Sequence, residues 1–385
     1  MATTPPINEF LFPQEPIRLS IEVLSDILIH CVKLDASDIT IQTGEPIYAE
    51  IFGRLKKVTR RKLSNTEVGE IINAMYGPNG TTQIMSGKDV DTHFEIRPNR
   101  SDRYRFRINA TGCQVEGHDG IQITARTIPT DPPTLDKMGL PKAILDAIMP
   151  EQGVVYITGA TGSGKSTLLA SIIRSIVEDS NSNRKILTYE APIEFVYDSV
   201  EKISSIVSQS EIPRHLPSFA AGVRNALRRK PRLILVGEAR DPETISAVME
   251  AAMTGHPVYT TLHSNSVAET VRRLVVTFPA EERQGRTVDI IETLRLIVSQ
   301  RLVPTVDGKR VALREYLNFD EDVRDQLLEA DPNHITAIVR KLVRERGKTI
   351  AVDAKEKFEA GLITERLYRV IAEQSNREDK DIGIT

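Results

Sequence analysis

Residues 154–173 read VVYITGATGSGKSTLLASII. An apolar run at 154–157 leads into a stretch with glycine at Gly159, Gly162 and Gly164, and a segment with apolar residues at helical spacing leaves it after Ser166. The pattern from Gly159 to Ser166 fits G-x-x-x-x-G-K-[ST], the loop that joins a strand to a helix and cradles phosphate. Its glycines let the backbone wrap a phosphate with the amides pointing inward, and the helix N-terminus adds a favourable dipole. In such a loop Lys165 neutralises the β- and γ-phosphates and the Ser166 hydroxyl ligates Mg²⁺. The expected nucleotide-binding residues are therefore Gly159, Thr161, Gly162, Ser163, Gly164, Lys165, Ser166 and Thr167, with ATP and Mg²⁺ as ligands. The same stretch predicts a strand at 154–157 and a helix over 166–177.

Further along the chain, short apolar strands alternate with helical segments from about Pro141 to Asn318. That alternation predicts an α/β domain, a parallel sheet covered by helices on both faces. Three of its strands end on polar residues: 185–189 at Glu190, 233–236 at Gly237 and Glu238, and 258–261 near His263. Open parallel sheets bind ligands beyond the carboxyl ends of their strands, the edge that also carries the glycine-rich loop. Glu238 is the expected general base, since a carboxylate there takes a proton from, or orients, the attacking water. Glu190 is expected to organise Mg²⁺ with Ser166, and His263 to hydrogen-bond the γ-phosphate. His256 precedes its strand, which leaves a structural role equally open.

Upstream, residues 17–129 mix periods. Leu24, Ile27 and Leu28 mark a helix over 21–34, a second helix is expected near 66–75, and alternating strands at 39–42, 46–52 and 104–109, an α+β pattern. Residues 1–16 are rich in proline and expected to fray. A proline-rich stretch from Thr127 to Thr134 reads as a linker. The segment from Asp320 onward is charged, with Leu327, Ile338, Leu342 and Phe358 at intervals, and is expected to be helical. The domains expected are thus 1–129, a linker at 130–140, 141–319 and 320–385.

Composition excludes several classes. At 385 residues, 40% hydrophobic and 27% charged, the chain is ordinary globular protein, and a net charge of -3 gives no overall pull toward nucleic acid or anionic membrane. No apolar run approaches the ~18 residues of a membrane span. The opening MATTPPINEFLFPQEP lacks the basic start and apolar core of a signal peptide, so a cytoplasmic protein is expected. Cys31 and Cys113 lie far apart, form no CxxC pair and read as buried free thiols.

Taken in order, these motifs resemble those of the PilT-type secretion and pilus-retraction ATPases. ITGATGSGKSTLLA resembles their Walker A, LTYEAPIEFVY their acidic box, LILVGEARDPETI their Walker B and TGHPVYTTLHS their histidine box. LDASDITIQTGEPI is similar to the opening of their PAS-like domain, and DRYRFRINA with ARTIPTDPPTLDKMGLP to its end and linker. EIPRHLP, GVRNALRRKPR and VPTVDGKRVALREYL are similar to the DotB-type and conjugative TraJ-type branch, which serves type IVB secretion. Departures from the retraction enzymes point the same way: Ala191 where they usually carry Asp, Thr40 where they carry His, and basic residues at 229–232 where they tend to be acidic. Residues 322–328 match their retraction motif only in part.

The resemblance implies a PAS-like N-terminal domain, a RecA-like ATPase core and a homo-hexameric ring with ATP at subunit boundaries. It places Arg105, Arg107 and Arg126 as arginines that complete the site from the neighbouring subunit, aimed at the γ-phosphate. Read without it, Arg103, Arg105 and Arg107 alternate on one face of a strand, which suggests either an anionic partner or ion pairs with Asp or Glu. The function implied is a motor energising a type IVB secretion system, recruited to inner-membrane components and acting on an exported protein or DNA–protein substrate. Pilus retraction and a nucleotide-gated assembly module are the alternatives. No sequence-specific nucleic-acid binding is expected: the basic residues Arg224, Arg228, Arg229, Lys230 and Arg232 have no interleaved aromatics.

Overall fold

The computed structural model describes residues 10–99, 102–128, 131–331 and 334–380. Two compact units divide the chain: Met1–Asp131 with Pro192–Val196, and Pro132–Ala191 with Tyr197–Thr385.

The first unit opens with α1 (Ile21–Lys33), which buries Leu24, Ile27, Leu28 and Cys31. β1 (Ala36–Gln42), β2 (Tyr48–Ile51) and β3 (Arg54–Lys57) follow, then α2 (Asn65–Tyr76), α3 (Gly80–Met85) and β4 (Val90–Ile96), β5 (Tyr104–Val115) and β6 (His118–Ile128). The strands form one antiparallel sheet in the order β3-β2-β1-β6-β5-β4. Its core joins Ile39, Ile41, Phe106, Ile108 and Ile123 with the apolar faces of α1 and α2. The expected fraying of 1–16 does not extend to residues 10–16. Phe10 and Phe12 pack against this core, the Phe12 amide donates to the Val58 carbonyl, and the Glu15 carboxylate accepts the amides of Arg60 and Arg61. Residues 1–9 lie outside those described. Cys31 is buried, as expected, but Cys113 only half so.

The second unit starts with a 3₁₀ turn, Leu135–Met138, whose Leu135 and Met138 pack against the core beneath the large sheet. Its elements are α4 (Lys142–Ala147), β7 (Gly153–Thr158), α5 (Lys165–Glu178), β8 (Lys185–Glu190), β9 (Ile206–Glu211), α6 (Phe219–Ala226), β10 (Leu233–Val236), α7 (Pro242–Met253), β11 (Pro257–Leu262), α8 (Val267–Val276), α9 (Arg283–Thr293), β12 (Leu294–Pro304) and β13 (Arg310–Asn318). The seven strands run in the order β13-β12-β7-β11-β10-β8-β9, all parallel except β13, which pairs antiparallel with β12. β7, β10 and β11 are buried along their whole length, as strands covered on both faces must be. One core cluster gathers α6, α7 and α8 against one face, and another gathers α4 and α5 against the other. α10 (Glu321–Leu328), α11 (Ile335–Arg346), α12 (Ile350–Glu359) and α13 (Glu365–Lys380) complete the chain. Leu327 and Leu342 enter the main cluster, and Phe358 stacks on Tyr368 with ring centroids 5.4 Å apart.

Candidate nucleotide site

β7 delivers the chain into the loop, and α5 takes it away from Lys165. Gly159, Gly162 and Gly164 all have positive φ, at 143°, 75° and 83°. At Gly159 a Cβ would stand 2.2 Å from the Gln300 carbonyl oxygen and 2.5 Å from Ser163 Oγ, so no side chain fits there. α6, α7 and α8 each begin on a Ser or Asp whose side chain accepts a first-turn amide, but α5 begins on Gly164 with no side-chain cap. Its first-turn amides are left to an outside acceptor, and phosphate oxygens meet that need. Ser163 Oγ is buried without a protein partner. Lys165 Nζ folds back on the loop, donating to the carbonyls of Gly159 (2.8 Å) and Ala160 (2.9 Å). An ammonium held by two neutral carbonyls gains from exchange for phosphate oxygens, because hydrogen bonds between charged partners are the stronger ones.

The acidic and histidine residues lie on the neighbouring strands. β7, β11, β10 and β8 are consecutive in the sheet and parallel, so the loop, His263, Glu238 and Glu190 leave it at the same edge. Adjacent strands are about 4.8 Å apart, so β11, which leads to His263, is the loop strand's next neighbour, β10 with Glu238 following it is one strand further, and β8 with Glu190 is roughly 14 Å from β7. The turn carrying Glu238 is pinned on both sides: Gly237 N donates to the Tyr189 carbonyl (2.7 Å), Thr261 Oγ1 donates to the Gly237 carbonyl (2.6 Å), and Ala239 N donates to the Thr261 carbonyl. Glu238 is 23% exposed, with His263 Nε2 3.7 Å from one carboxylate oxygen and Arg240 Nη1 3.7 Å from the other. The His263 carbonyl in turn accepts from Arg273. Glu190 accepts from Thr188 Oγ1 (2.5 Å) and Gln209 Nε2 (3.0 Å), which aims its carboxylate. His256 stands at the other end of β11, where Nδ1 lies 3.1 Å from the Ala251 carbonyl at the end of α7. A six-residue strand spans roughly 20 Å, so His256 belongs to a helix end and not to this edge.

For Mg²⁺, Ser166 follows Lys165 in the first turn of α5 and Glu190 ends β8, one hydroxyl and one carboxylate toward the same edge of the sheet. Mg²⁺ keeps most of its waters and takes one or two protein oxygens beside the phosphates, so no dense acidic cluster is required. Among the described residues no group of three or more His, Cys, Asp or Glu stands ready for a metal.

The arginines of β5 meet acids on β4. Glu95 stands opposite Arg105 in the ladder, 3.0 Å from Arg103 Nε and 3.6 Å from Arg105 Nε, and Asp91 takes the Arg107 guanidinium at 2.7 Å. The alternating charge is thus answered by ion pairs within the sheet. Arg105 goes further: its side chain is 1% exposed and donates to the carbonyls of Glu194 (2.7 Å) and Ile193 (2.9 Å). This is why Pro192–Val196, in the middle of the second unit's sequence, clusters with the first. Arg107 is 38% exposed and Arg126, paired with Asp38, is 62% exposed. In the basic stretch Arg224 pairs with Glu243, and Arg229 donates to Ser208 Oγ. Motif reading missed Arg240, two residues after Glu238 within the same motif, and also Gln209 of β9 beside Glu190 and Gln300 of β12 against the loop, which sheet neighbours bring in.

The family described as type II/IV secretion system protein matches residues 14–377. A solved ATPase DotB of Legionella pneumophila is 66% identical with a TM-score of 0.88, over 94% of this chain and 99% of that one. The DotB ATPase of Yersinia pseudotuberculosis is 36% identical with a TM-score of 0.80, over 96% and 98%. A twitching motility protein of Neisseria gonorrhoeae is 35% identical over 328 residues, 84% of each chain. No helix among the described residues is long and apolar enough to cross a membrane.

Proposed function

The chain belongs to the type II/IV secretion system protein family, and on that premise we propose that it hydrolyses Mg-ATP as one subunit of a six-membered ring that drives a type IVB secretion system. The observation that carries this reading is the convergence of the loop, Glu190, Glu238 and His263 on one edge of the sheet. A protein that only binds nucleotide as a switch has no use for a carboxylate and an imidazole held together beside its phosphate loop.

ATP enters with its phosphates against the α5 amides and the Ser163 hydroxyl, and Lys165 leaves the Gly159 and Ala160 carbonyls to meet the β- and γ-oxygens. Ser166 and Glu190 would hold Mg²⁺, which would neutralise charge on the phosphates. Glu238 accepts the proton of the attacking water as its oxygen bonds to the γ-phosphorus and the bond to the bridging β,γ-oxygen breaks, releasing ADP and phosphate, and His263 hydrogen-bonds the γ-phosphate. The exposed guanidiniums of Arg107 and Arg126 are presented to a neighbouring subunit's γ-phosphate, while Arg105 supports that strand from within its own unit. In the same reading the first unit is a PAS-like domain, the boundaries fall at 1–129, 141–319 and 320–385, and the ring is recruited from the cytoplasm to inner-membrane partners.

A second reading, pilus retraction, is favoured by likeness to the pilus ATPase PilT of Pseudomonas aeruginosa, 33% identical over 80% of this chain. We rank it second because the identity to the Legionella ATPase, 66%, is higher.

Mixing inactive variants tests the ring. Lys165→Ala and Arg107→Ala should each lose most ATPase activity, and the mixture should recover part of it, because some boundaries pair an intact loop with an intact arginine. The same mixture made with Arg126→Ala should behave alike. If neither mixture recovers activity despite subunit exchange shown by mass, the shared site is wrong.

A further inference from the structure

Gln300, on β12, straddles the nucleotide loop. Its carbonyl lies where a side chain at Gly159 would be, and its amide nitrogen lies 3.0 Å from where one at Gly164 would be. That amide nitrogen donates to the Ser163 carbonyl at 2.7 Å, and its amide oxygen accepts from Arg314 Nε at 2.8 Å. Gln300 and Arg314 face each other in the β12–β13 ladder and are 4% and 5% exposed. The remaining nitrogens of Arg314 donate to the carbonyls of Met138 (2.8 Å) and Gly139 (3.3 Å), at the end of the first turn of the second unit. Its backbone amide donates to Asp353 of α12, whose other oxygen takes Lys348 at 3.3 Å.

The direction of the Gln300 amide follows from this. A guanidinium only donates, so the amide oxygen must face Arg314 and the amide nitrogen must face the loop. Without Arg314 the amide is held only by the Ser163 carbonyl, one restraint instead of two. Burial pulls the Arg314 guanidinium down to about 10, against the opposing pull of Asp353. A charged group buried among neutral carbonyls costs stability that an apolar side chain would not, which points to a task other than packing.

We propose that Gln300 and Arg314 are positioning residues for ATP: Gln300 holds the loop open through the Ser163 carbonyl, and Arg314 orients Gln300 while tying it to the Met138–Gly139 turn. The proposal deepens the nucleotide-site reading and rests on it.

The test is ATP binding by calorimetry on the full chain, with the melting temperature of every variant recorded. Gln300→Glu keeps an acceptor for Arg314 but has no donor for the loop, so it should melt near the native temperature and bind ATP about tenfold more weakly. Arg314→Lys keeps the charge but lacks the planar fork that reaches Gln300, Met138 and Gly139 at once, so it should weaken ATP binding about three- to tenfold. Because Arg314 acts on ATP through Gln300, the double variant should bind no worse than Gln300→Glu alone. If both single variants bind ATP within twofold of the native chain, or if the two losses simply multiply, the proposal fails. Should Gln300→Glu not fold, Gln300→Met removes the same bond and is read the same way. A native chain that binds no ATP, or a Lys165→Ala chain that binds it as well as the native one, would instead overturn the site itself.

Discussion

Arg105 and Arg107 are two residues apart on one strand and have different environments. Arg105 satisfies two carbonyls of Pro192–Val196 while nearly sealed from water, whereas Arg107 shares a half-exposed ion pair with Asp91. Replacing a buried donor leaves its acceptors unsatisfied, at a cost of about 1–3 kcal/mol, while exposed pairs contribute ~0–1 kcal/mol. Arg105→Ala should therefore lower the melting temperature by several degrees and speed hydrogen exchange at 192–196, and Arg107→Ala should do neither. A thermal melt with exchange mass spectrometry checks both. An Arg105→Ala chain that melts like the native one would show that those carbonyls do not depend on it. The alternation of Arg103, Arg105 and Arg107 was visible in the sequence, and ion pairing was one of its two readings. The partners were not visible: Asp91 and Glu95 reach β5 only through the strand pairing, and Ile193 and Glu194 offer backbone oxygens that carry no sequence signal.

At the scale of elements, strong local signals sufficed. The loop pattern predicted α5 over 166–177, and it spans Lys165–Glu178; the strand expected at 154–157 is β7, Gly153–Thr158. The second helix near 66–75 is α2, started by a capping box in which Ser64 and Glu67 satisfy each other's backbone amides. Burial pushes the Glu67 carboxyl up, but Arg61, the Leu19 and Ser64 amides and the Ser64 hydroxyl outweigh it and hold the group at about 2. With the folded value below the ordinary 4.5, Glu67 stabilises the fold fully above pH ~4.5, and that contribution is lost as pH falls toward 2. The difference is worth on the order of 3 kcal/mol. Glu67→Gln should thus melt lower at pH 7 and lose less stability than the native chain between pH 4.5 and 3 in thermal melts. Equal acid sensitivity in the two would show that other carboxylates govern this range. The strand expected at 46–52 is β2, Tyr48–Ile51, which starts two residues later and ends one earlier, where Phe52 takes φ 50° and turns the chain into β3. The relay from Gln300 to Arg314 was not legible at this scale, since neither residue lies in a motif that ties it to the loop.

For the whole molecule, the alternation of strands and helices predicted the parallel sheet. Sheet order was beyond reach of periodicity, yet it does the assembling: β7 and β11 are neighbours although they start at Gly153 and Pro257, with β8 and β10 between them in the chain. Local reading also kept Pro192–Val196 with the residues on either side of it, because a guanidinium from strand β5 is a long-range contact. What the assembled sheet edge offers is a carboxylate, Glu238, on the same edge as the glycine-rich loop, and the proposal is that it acts as the base in hydrolysis there. Steady-state ATP turnover by the purified chain and by Glu238→Gln, with ATP binding measured on both, tests it most directly. The account predicts that Glu238→Gln binds ATP as the native chain does and turns over about 10²–10⁴-fold more slowly. Native turnover by Glu238→Gln would contradict it.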